Sequence, residues 1–362
     1  MNIGVLTFWG VPNYGAFAQA YALNAVLRQL GHAAEHIAYL HPRHRQLYAP
    51  PSMRPAGRLW RPLAYWRLYR ERCRKRAYRA RFLEDLRHIP HTPDMTASQL
   101  REARFECVIT GSDAIWEFSI PEFGADPLLI GNDLKCARRV AYAASFGMMT
   151  PADAFPAFVA GGLRQYDFIA VRDDNSADIV ERLIGTRPPI ALDPSLLWDF
   201  ANDPVIPAPR WRDGLLVYSA GFDDATIRQL KEYAARRHLP LVGAGIPHPW
   251  CDRNLSPLRP TEWIALFRQA RAVATSTFHG LMFALAFRRP LMFRMAPYVK
   301  NRCSWLLRQI GLLDRFASPS VPVEELLSLE LDYAAIGSKL DELRSASMAF
   351  LNTALKAAPT SE

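Results

Sequence analysis

Length and composition already limit what this chain can be. With 362 residues it is too long for one ordinary core and predicts about two domains. Hydrophobic residues make up 50% and charged residues 22%, which is typical of globular proteins and excludes wholesale disorder, collagen and coiled coils. No apolar run reaches the roughly 18 residues that span a bilayer, and the opening MNIGVLTF has no charged n-region. Five scattered cysteines form no C-x-x-C pair, so we expect a cytoplasmic protein without a structural zinc site.

The net charge of +9 is concentrated in one segment. Between Arg58 and Arg81 there are ten Lys and Arg residues and one acid, Glu71, whereas the rest of the chain is neutral. We predict a basic helical insertion around residues 58–88 that packs through residues at three- and four-residue spacing, namely Leu63, Trp66, Arg70, Cys73, Ala77 and Ala80. The other faces carry two tyrosines and most of the cations: Tyr65, Tyr78, Arg67, Arg72, Arg74, Lys75, Arg76, Arg79 and Arg81. This pattern favours peripheral binding to the anionic inner leaflet of a membrane, and a solvated charged helix is the alternative.

Strand-like apolar runs alternate with helical stretches along the chain. The first run, residues 2–8, is followed by the turn GVPNYG and a helix from Ala16 to Leu30. The later runs are Cys107 to Thr110, Arg139 to Gly147, Phe168 to Arg172, Leu215 to Gly221, Arg271 to Thr277 and Pro290 to Phe293. This alternation predicts an α/β protein with parallel sheets.

Three prolines between Phe200 and Arg212 interrupt the alternation and predict a linker at residues 201–213. We expect an N-terminal α/β domain of residues 1–200, a C-terminal α/β domain of residues 214–330, and a helix within 331–362 that packs back on the first domain. Two Rossmann-like, doubly wound domains place the carboxyl ends of their strands around a shared cleft, where ligands should bind.

Two common nucleotide-binding motifs do not occur in the sequence. No G-x-G-x-x-G follows the first strand, and no G-x-x-x-x-G-K-[ST] is found anywhere. The G-A-G at Gly243 to Gly245 precedes Ile246 and Pro247, so we interpret it as a turn. NAD-dependent and P-loop chemistry are therefore disfavoured.

Two cationic or proton-handling side chains stand at predicted strand ends. His279 follows an apolar strand and begins a helix, where free N–H groups and the partial positive charge favour anions. An imidazole there can donate a hydrogen bond to an anion or move a proton, and a capping or packing histidine is the alternative. Arg172 closes the strand FIAVR, where a guanidinium can clamp a carboxylate or phosphate; a salt bridge to a neighbouring acid is the alternative.

Several aspartates also follow predicted strands. Asp113 in TGSDAIW is a candidate base or partner of a sugar hydroxyl, and a cap or turn residue is the alternative. Asp193 precedes a proline in LDPSLL, so we interpret it as a turn residue. The pairs Asp173-Asp174 and Asp223-Asp224 stand at helix starts, where Asp is a preferred cap, and we interpret them as caps rather than metal ligands.

Six motifs together resemble a known family. They are NYGAFAQAYAL (13–23), FECVITGSDAIW (105–116), RVAYAASFG (139–147), FIAVRDDNS (168–176), LDPSLL (192–197) and STFHG (276–280). Through their order and spacing, as far as about Leu313, the chain resembles the polysaccharide pyruvyl transferase family. The resemblance implies a fold similar to the GT-B glycosyltransferases and phosphoenolpyruvate as donor. It also implies a pyruvate ketal formed on a sugar of a cell-surface or exopolysaccharide or of its lipid-linked precursor.

The resemblance also implies residue roles. Arg172 of the V-R-[DE] motif and His279 of the F-H-G motif would belong to a donor site in the C-terminal domain, together with Ser276, Thr277, Phe278 and Gly280. His279 is the candidate general acid or base, and Asp113 is a second catalytic candidate. Candidates for the cleft and the acceptor are Asn13, Tyr14, Gly15, Ser112, Asp113 and Trp116. Family members often carry Gln after G-S-D, where this chain has Ala114, and this departure concerns the acceptor contacts.

Two other classes of function stay open. A GT-B glycosyltransferase with a nucleotide-sugar donor would have the same fold, because fold does not fix chemistry. A non-enzymatic protein could bind anionic surfaces or nucleic acid through the basic segment. For the pyruvyl transferase, the expected partners are phosphoenolpyruvate and a saccharide, and we expect no metal, no redox cofactor and no nucleic acid.

Overall fold

Two parallel five-stranded sheets form the framework of the computed structural model, which describes residues 1–49, 62–318 and 320–356. The strands are β1 Asn2–Leu6, β2 Ala33–His36, β3 Arg104–Thr110, β4 Lys135–Ala144, β5 Phe168–Val171, β6 Leu215–Tyr218, β7 Leu241–Ala244, β8 Arg253–Leu255, β9 Ala272–Thr275 and β10 Leu291–Phe293. The first sheet has the order β2-β1-β3-β4-β5 and the second β10-β9-β6-β7-β8. All of these strand pairs are parallel.

Helices connect the strands and cover both sheets. The described residues form α1 Tyr14–Gln29, α2 Pro42–Leu47, α3 Pro62–Leu83, α4 Ala97–Glu102, α5 Phe158–Leu163, α6 Asp174–Ile184, α7 Asp224–Arg236, α8 Pro260–Gln269, α9 Phe278–Ala286, α10 Pro297–Gln309, α11 Leu313–Ala317, α12 Val323–Ser328 and α13 Tyr333–Lys356. A short 3-10 helix, Pro194–Leu196, lies between the two series of strands. None of these helices is long and apolar enough to cross a membrane.

Each sheet has one point where the strand order reverses. In the first sheet β2 lies on one side of β1, and the next strand in the chain, β3, lies on the other side. In the second sheet β7 and β8 lie on one side of β6, and β9 and β10 lie on the other side. The central strands LLVY and AVAT are buried along their whole length because helices cover both faces of a parallel sheet. This confirms the predicted fold class, an α/β protein of two Rossmann-like, doubly wound domains in a GT-B-like arrangement. We call the domains built on the first and second sheets the first and second lobe.

Aromatic packing holds the two lobes together beside the cleft. Tyr14, at the start of α1, stacks on Trp263 of α8 with ring centroids 5.3 Å apart. The Tyr14 hydroxyl donates to the backbone carbonyl of Leu258, and its ring edge meets Tyr218 at the end of β6. One apolar cluster therefore continues from the first lobe into the second.

The last helix, α13, packs against the first sheet. Leu351 and Leu355 lie in the same buried cluster as Ile3 of β1. Arg138 of β4 donates from Nη1 to the carbonyl oxygens of Ala354 and Leu355, at 3.1 and 3.2 Å. These charge-assisted bonds attach the last described turn of α13 to β4.

Helix α3 packs through a different face from the one predicted. Trp66, Arg70, Cys73, Ala77 and Ala80 are exposed, and the buried face carries Tyr78 and Phe82 instead. Tyr78 donates its hydroxyl to the carbonyl of Pro12, which explains why a residue expected on the outer surface lies inside. Arg58 and the side chains of Leu63 and Tyr65 lie outside the described residues.

Asp85, just after α3, fastens this part of the first lobe to the second. Its buried Oδ2 accepts from the Thr261 backbone N–H at 2.8 Å and from the Thr261 hydroxyl at 2.6 Å, at the first turn of α8. Replacing Asp85 with Ala should lower the free energy of unfolding by about 1–3 kcal/mol, because a buried donor loses its acceptor. Urea unfolding monitored by circular dichroism measures this.

A matched control is Asp94→Ala, because the Asp94 side chain is 79% exposed and pairs only with Arg45, at 3.4 Å, among the described residues. We expect a change within about 0.5 kcal/mol. Equal losses in the two variants would contradict the role given to Asp85.

Candidate functional site

His279 is the second residue of α9, at the end of the central strand β9. Thr277 caps the helix by accepting from the Gly280 N–H at 3.1 Å. The His279 ring lies against Gly15 of α1 so closely that a Cβ at Gly15 would overlap the imidazole. Asn13 caps α1 by accepting from the backbone N–H groups of Gly15 and Ala16. The amino-terminal ends of two helices, one from each lobe, therefore meet at His279.

Arg172 lies next to this contact and is only 3% exposed. Its Nη1 donates to Oδ2 of Asp193 at 2.8 Å, so the salt bridge that the sequence left as an alternative is present. The guanidinium also lies over the ring of Phe278, with 4.2 Å between its central carbon and the ring centroid. Its Nε and Nη2 have no hydrogen-bond partner among the described residues, and Nη2 is 3.5 Å from Oδ1 of Asp113. The arginine is thus held firmly while part of its donor capacity stays unused.

Asp193 joins Arg172 to His279. As predicted for a turn residue, it begins the 3-10 helix Pro194–Leu196, and its Oδ1 accepts from the N–H and hydroxyl of Ser195 at 3.0 and 2.7 Å. No sequence pattern indicates its second position: its Oδ1 is also 3.9 Å from Nε2 of His279. Burial would raise the pKa of Asp193, but the positive charges of His279, when protonated, and Arg172 outweigh it, so the pKa is lowered and the carboxylate stays ionised.

Burial dominates the pKa of His279 and lowers it below the usual value. The carboxylates of Asp193 and Asp113 oppose this shift, and the charges of Arg172 and Arg302 add to it. The imidazole is therefore neutral at neutral pH and can accept a proton. Its Nε2 has no hydrogen-bond partner among the described residues.

A cavity of about 250 Å³ opens beside these groups, between the two lobes. Asp113 connects it to Arg172, because Asp113 lines the cavity and lies 3.5 Å from the guanidinium. Asn13 and Ala114 also line it, and the small side chain of Ala114 leaves room where the family often has Gln. The lining residues that were not among the sequence candidates include His44, Tyr48, Tyr298 and Arg302.

Arg302 brings a second guanidinium to the same place. It is on α10, and its Nη2 donates to the carbonyl of Tyr298 at 2.9 Å. Burial lowers the pKa of Arg302, and the positive charge of Arg172 lowers it further. Arg302 lines the cavity, and no strand-end motif marks it in the sequence. A pair of repelling guanidinium groups in one cleft is suited to an anion with more than one negative charge.

Several predicted site residues have structural positions instead. Trp116 was expected at the cleft but is fully buried in the first lobe, where its Nε1 donates to the carbonyl of Leu129. Tyr14 lies in the packing between the lobes, as described above. The Ser112 hydroxyl donates to Oε1 of Gln19 at 2.8 Å and holds the loop after β3. Ser276 shares a hydrogen bond of 2.8 Å with Ser219, which joins the loops after β9 and β6.

The aspartate pairs are helix caps, as predicted. Asp173 accepts from the Ser176 N–H at 2.7 Å at the start of α6, and Asp223 accepts from the Thr226 N–H at 2.6 Å at the start of α7. Among the described residues there is no group of three or more His, Cys, Asp or Glu side chains placed to hold a metal ion.

The model of the polysaccharide pyruvyl transferase family matches residues 13–293, which is most of the chain. This protein belongs to that family. The match spans both lobes and includes Gly15, Asp113, Arg172, Asp193 and His279. No curated protein sequence matches the chain.

The solved structures that resemble this one are similar in fold and distant in sequence. A UDP-N-acetylglucosamine 2-epimerase from Listeria monocytogenes is 10% identical, with a TM-score of 0.52, and the match covers 98% of this chain and 95% of that one. The spinosyn rhamnosyltransferase SpnG is 12% identical, with a TM-score of 0.48 and coverage of 99% and 100%. The glycosyltransferase SnogD from Streptomyces nogalater is 16% identical, with a TM-score of 0.42 and coverage of 98% of both chains. The first of these likenesses supports the two-lobed fold, and none of them identifies a substrate.

The contact between Gly15 and His279 leads to a test of the site geometry. In an ordinary helix, replacing Gly with Ala stabilises by roughly 0.5–1 kcal/mol. At Gly15 the added methyl group would overlap the imidazole, so the variant should displace His279 and lose at least about tenfold in turnover while remaining folded. Steady-state kinetics with a thermal unfolding curve measures both effects.

Gly161→Ala is the matched control, because Gly161 lies within α5 and a Cβ there has nothing within 4 Å. It should leave turnover unchanged. Normal turnover in Gly15→Ala would mean that the position of His279 does not matter to activity.

Proposed function

We propose that this protein transfers the pyruvyl unit of phosphoenolpyruvate to a saccharide and forms a pyruvate ketal on two hydroxyls of one sugar. The observation that carries the proposal is the set of unused buried donors on Arg172, beside Arg302 and a neutral His279. Phosphoenolpyruvate carries a carboxylate and a phosphate on one small carbon frame. Two guanidinium groups and two helix amino-terminal ends provide what such a ligand needs.

The reaction can be written with all atoms accounted for. A proton adds to the methylene carbon of phosphoenolpyruvate, which makes C2 electrophilic, and the first sugar hydroxyl adds to C2 and loses its proton. The C–O bond to phosphate then breaks, phosphate leaves, and the second hydroxyl adds to C2 and loses its proton. Of the two protons that the hydroxyls release, one replaces the proton added to the methylene carbon and the other goes to the departing phosphate. None of these steps transfers electrons to or from a cofactor.

The neutral imidazole of His279 is the proposed proton carrier. In this role it accepts the proton of an attacking hydroxyl, and Asp193, 3.9 Å from Nε2 in this structure, stabilises the imidazolium that forms. Asp113, which lines the cavity, is positioned to accept a hydrogen bond from the sugar.

The acceptor has a proposed path in the first lobe. A second cavity of about 200 Å³ shares Val11 and Tyr48 with the first, so the two cavities adjoin. The residues that line it include Trp9, His91, Arg45 and Arg79. Aromatic faces and charged donors of this kind suit an extended anionic or neutral saccharide better than a compact metabolite.

The reaction is tested by incubating the protein with phosphoenolpyruvate and saccharide acceptors. We expect phosphate release that depends on the acceptor, and a product whose mass increases by one pyruvate ketal. Nucleotide sugars serve as competing donors. Glycosyl transfer from a nucleotide sugar, without any turnover of phosphoenolpyruvate, would replace this proposal with the glycosyltransferase alternative.

His279→Gln should reduce turnover by at least about 100-fold with the fold retained, because Gln keeps a similar size but cannot carry a proton. The acid limb of the wild-type pH profile should lie below the ordinary pKa of histidine, since burial lowers the pKa of His279 and its neutral form is the active one. His88→Gln, at a partly exposed histidine outside the cavity, is the control. Near-normal turnover in folded His279→Gln would remove His279 from the mechanism.

Arg172→Lys keeps the charge but loses the planar fork, so the donor should bind about 1–3 kcal/mol more weakly. Calorimetric titration with phosphoenolpyruvate measures the affinity. Arg308→Lys is the control, because Arg308 pairs with Asp174 on the surface at 2.9 Å. An unchanged affinity in Arg172→Lys would assign Arg172 to the salt bridge with Asp193 alone.

A further inference from the structure

One stretch of α3 is exposed on every side of the helix. The five consecutive residues Trp66 to Arg70 are all exposed, which is more than one turn of helix. Further along, exposure continues on one side only. We define the outward surface of α3 as eight of its exposed residues, namely Trp66, Arg67, Leu68, Tyr69, Arg70, Cys73, Arg74 and Arg76.

The other end of α3 is fixed to both lobes. Phe82 is fully buried, and the Tyr78 hydroxyl donates to the carbonyl of Pro12 at 3.0 Å. Arg81 reaches across to Glu262 of α8, with 2.8 Å between Nη2 and Oε1. The outward surface is therefore mounted on a rigid base and does not need to fold before it can bind.

The charge on this surface is strongly positive. Four exposed arginines lie on it, Arg67, Arg70, Arg74 and Arg76. The one acid among the described residues of the helix, Glu71, pairs with Lys75 at 3.5 Å. Four arginines against one acid, which is already paired with Lys75, give this surface a positive charge that attracts an extended anionic partner.

Large apolar side chains lie among these arginines. Trp66 is 60% exposed, Tyr69 45% and Leu68 38%, and the rings of Trp66 and Tyr69 meet edge to face at 5.8 Å. Exposed tryptophan and leucine are costly in water but stable at the boundary between lipid headgroups and acyl chains, where arginine also reaches phosphate. An RNA site would use stacking rings and would gain nothing from Leu68.

We infer that the outward surface of α3 docks the protein on an anionic lipid bilayer, with Trp66 and Leu68 at the headgroup boundary and the four arginines on lipid phosphates. The inner side of the same helix contributes Arg79 and Leu83 to the wall of the second cavity, which adjoins the catalytic one. Docking would therefore bring that cavity towards the membrane surface, where a saccharide carried on a lipid would arrive.

The test uses the full chain and vesicles, without substrate, so that its outcome does not depend on the proposed reaction. Flotation is measured with phosphatidylcholine vesicles with and without phosphatidylglycerol, at low and high salt. Wild type should float with the anionic vesicles only, and less so at high salt. The variant R67Q/R70Q/R74Q/R76Q should bind at least about 100-fold more weakly, since each basic residue contributes a severalfold factor.

The matched control removes the same number of exposed cations elsewhere, in the variant R28Q/R228Q/K231Q/R253Q. Equal loss of binding in both variants would show that only net charge matters and would overturn the inference. Trp66→Ser/Leu68→Ser should also weaken binding while leaving the charge unchanged, and no effect would overturn the insertion of these side chains.

A spectroscopic readout places the surface at the membrane. Cys73 is the exposed cysteine among the five and lies on the outward surface. A polarity-sensitive fluorophore on Cys73 should shift to shorter wavelength with anionic vesicles and not with RNA. No shift with vesicles, or saturable binding to RNA in their place, would contradict membrane docking and favour the nucleic-acid alternative.

Discussion

The buried ion pair between Arg172 and Asp193 is the interaction on which the rest of the site depends. Both side chains are almost completely buried, and 2.8 Å separates the bonded atoms. Burying two charges costs several kcal/mol for each ion, and the attraction between them repays this cost only when the geometry is good. Ser195 fixes the carboxylate and the ring of Phe278 supports the guanidinium, so the geometry here is good. Because Asp193 accepts only from Nη1, the N–H groups on Nε and Nη2 stay free of hydrogen bonds to the described residues.

The two lobes meet where this pair can act on both of them. Phe278 and His279 belong to the second lobe, whereas Asp193 and Arg172 follow the first sheet. The approach of α1 to α9 is possible only because residue 15 is glycine, and the packing of Tyr14 on Trp263 keeps it in place. A small change in the angle between the lobes would therefore alter the distance between the imidazole and the carboxylate. This explains how a site made from two separate sheets can hold a neutral histidine and two arginines in a fixed relation.

Sequence patterns predicted the fold and the residues that lie at strand ends. The alternation of short apolar runs with helices specified the parallel sheets, and the position of His279 and Arg172 after strands placed them at the cleft. Asp193 was recognised only as a turn residue, because its partners are 21 residues away at Arg172 and farther still at His279. Arg302 lies in mid-helix on α10, where no local signal separates a cleft arginine from a surface one.

Two predictions went wrong for identifiable physical reasons. In α3, cations and apolar residues are mixed, so helical spacing alone is compatible with burial of either of two opposite faces. The hydrogen bond from Tyr78 to Pro12 selects the face that the spacing did not favour. Trp116 follows a site motif, but the hydrogen bond from its indole N–H to Leu129 satisfies it inside the core. Side-chain hydrogen bonds to distant backbone decided both cases, and sequence spacing carries no information about them.

The most direct test of the central claim is a structure determined with phosphoenolpyruvate bound. We predict that a carboxylate or phosphate oxygen of the ligand lies within hydrogen-bond distance of Nε or Nη2 of Arg172, the two donors that Asp193 leaves unused. The same ligand should contact Arg302, with its C2 carbon facing the cavity that Asp113 lines. Phosphoenolpyruvate bound elsewhere, with Arg172 still contacting only Asp193 and Asp113, would contradict the claim that this ion pair holds the donor site.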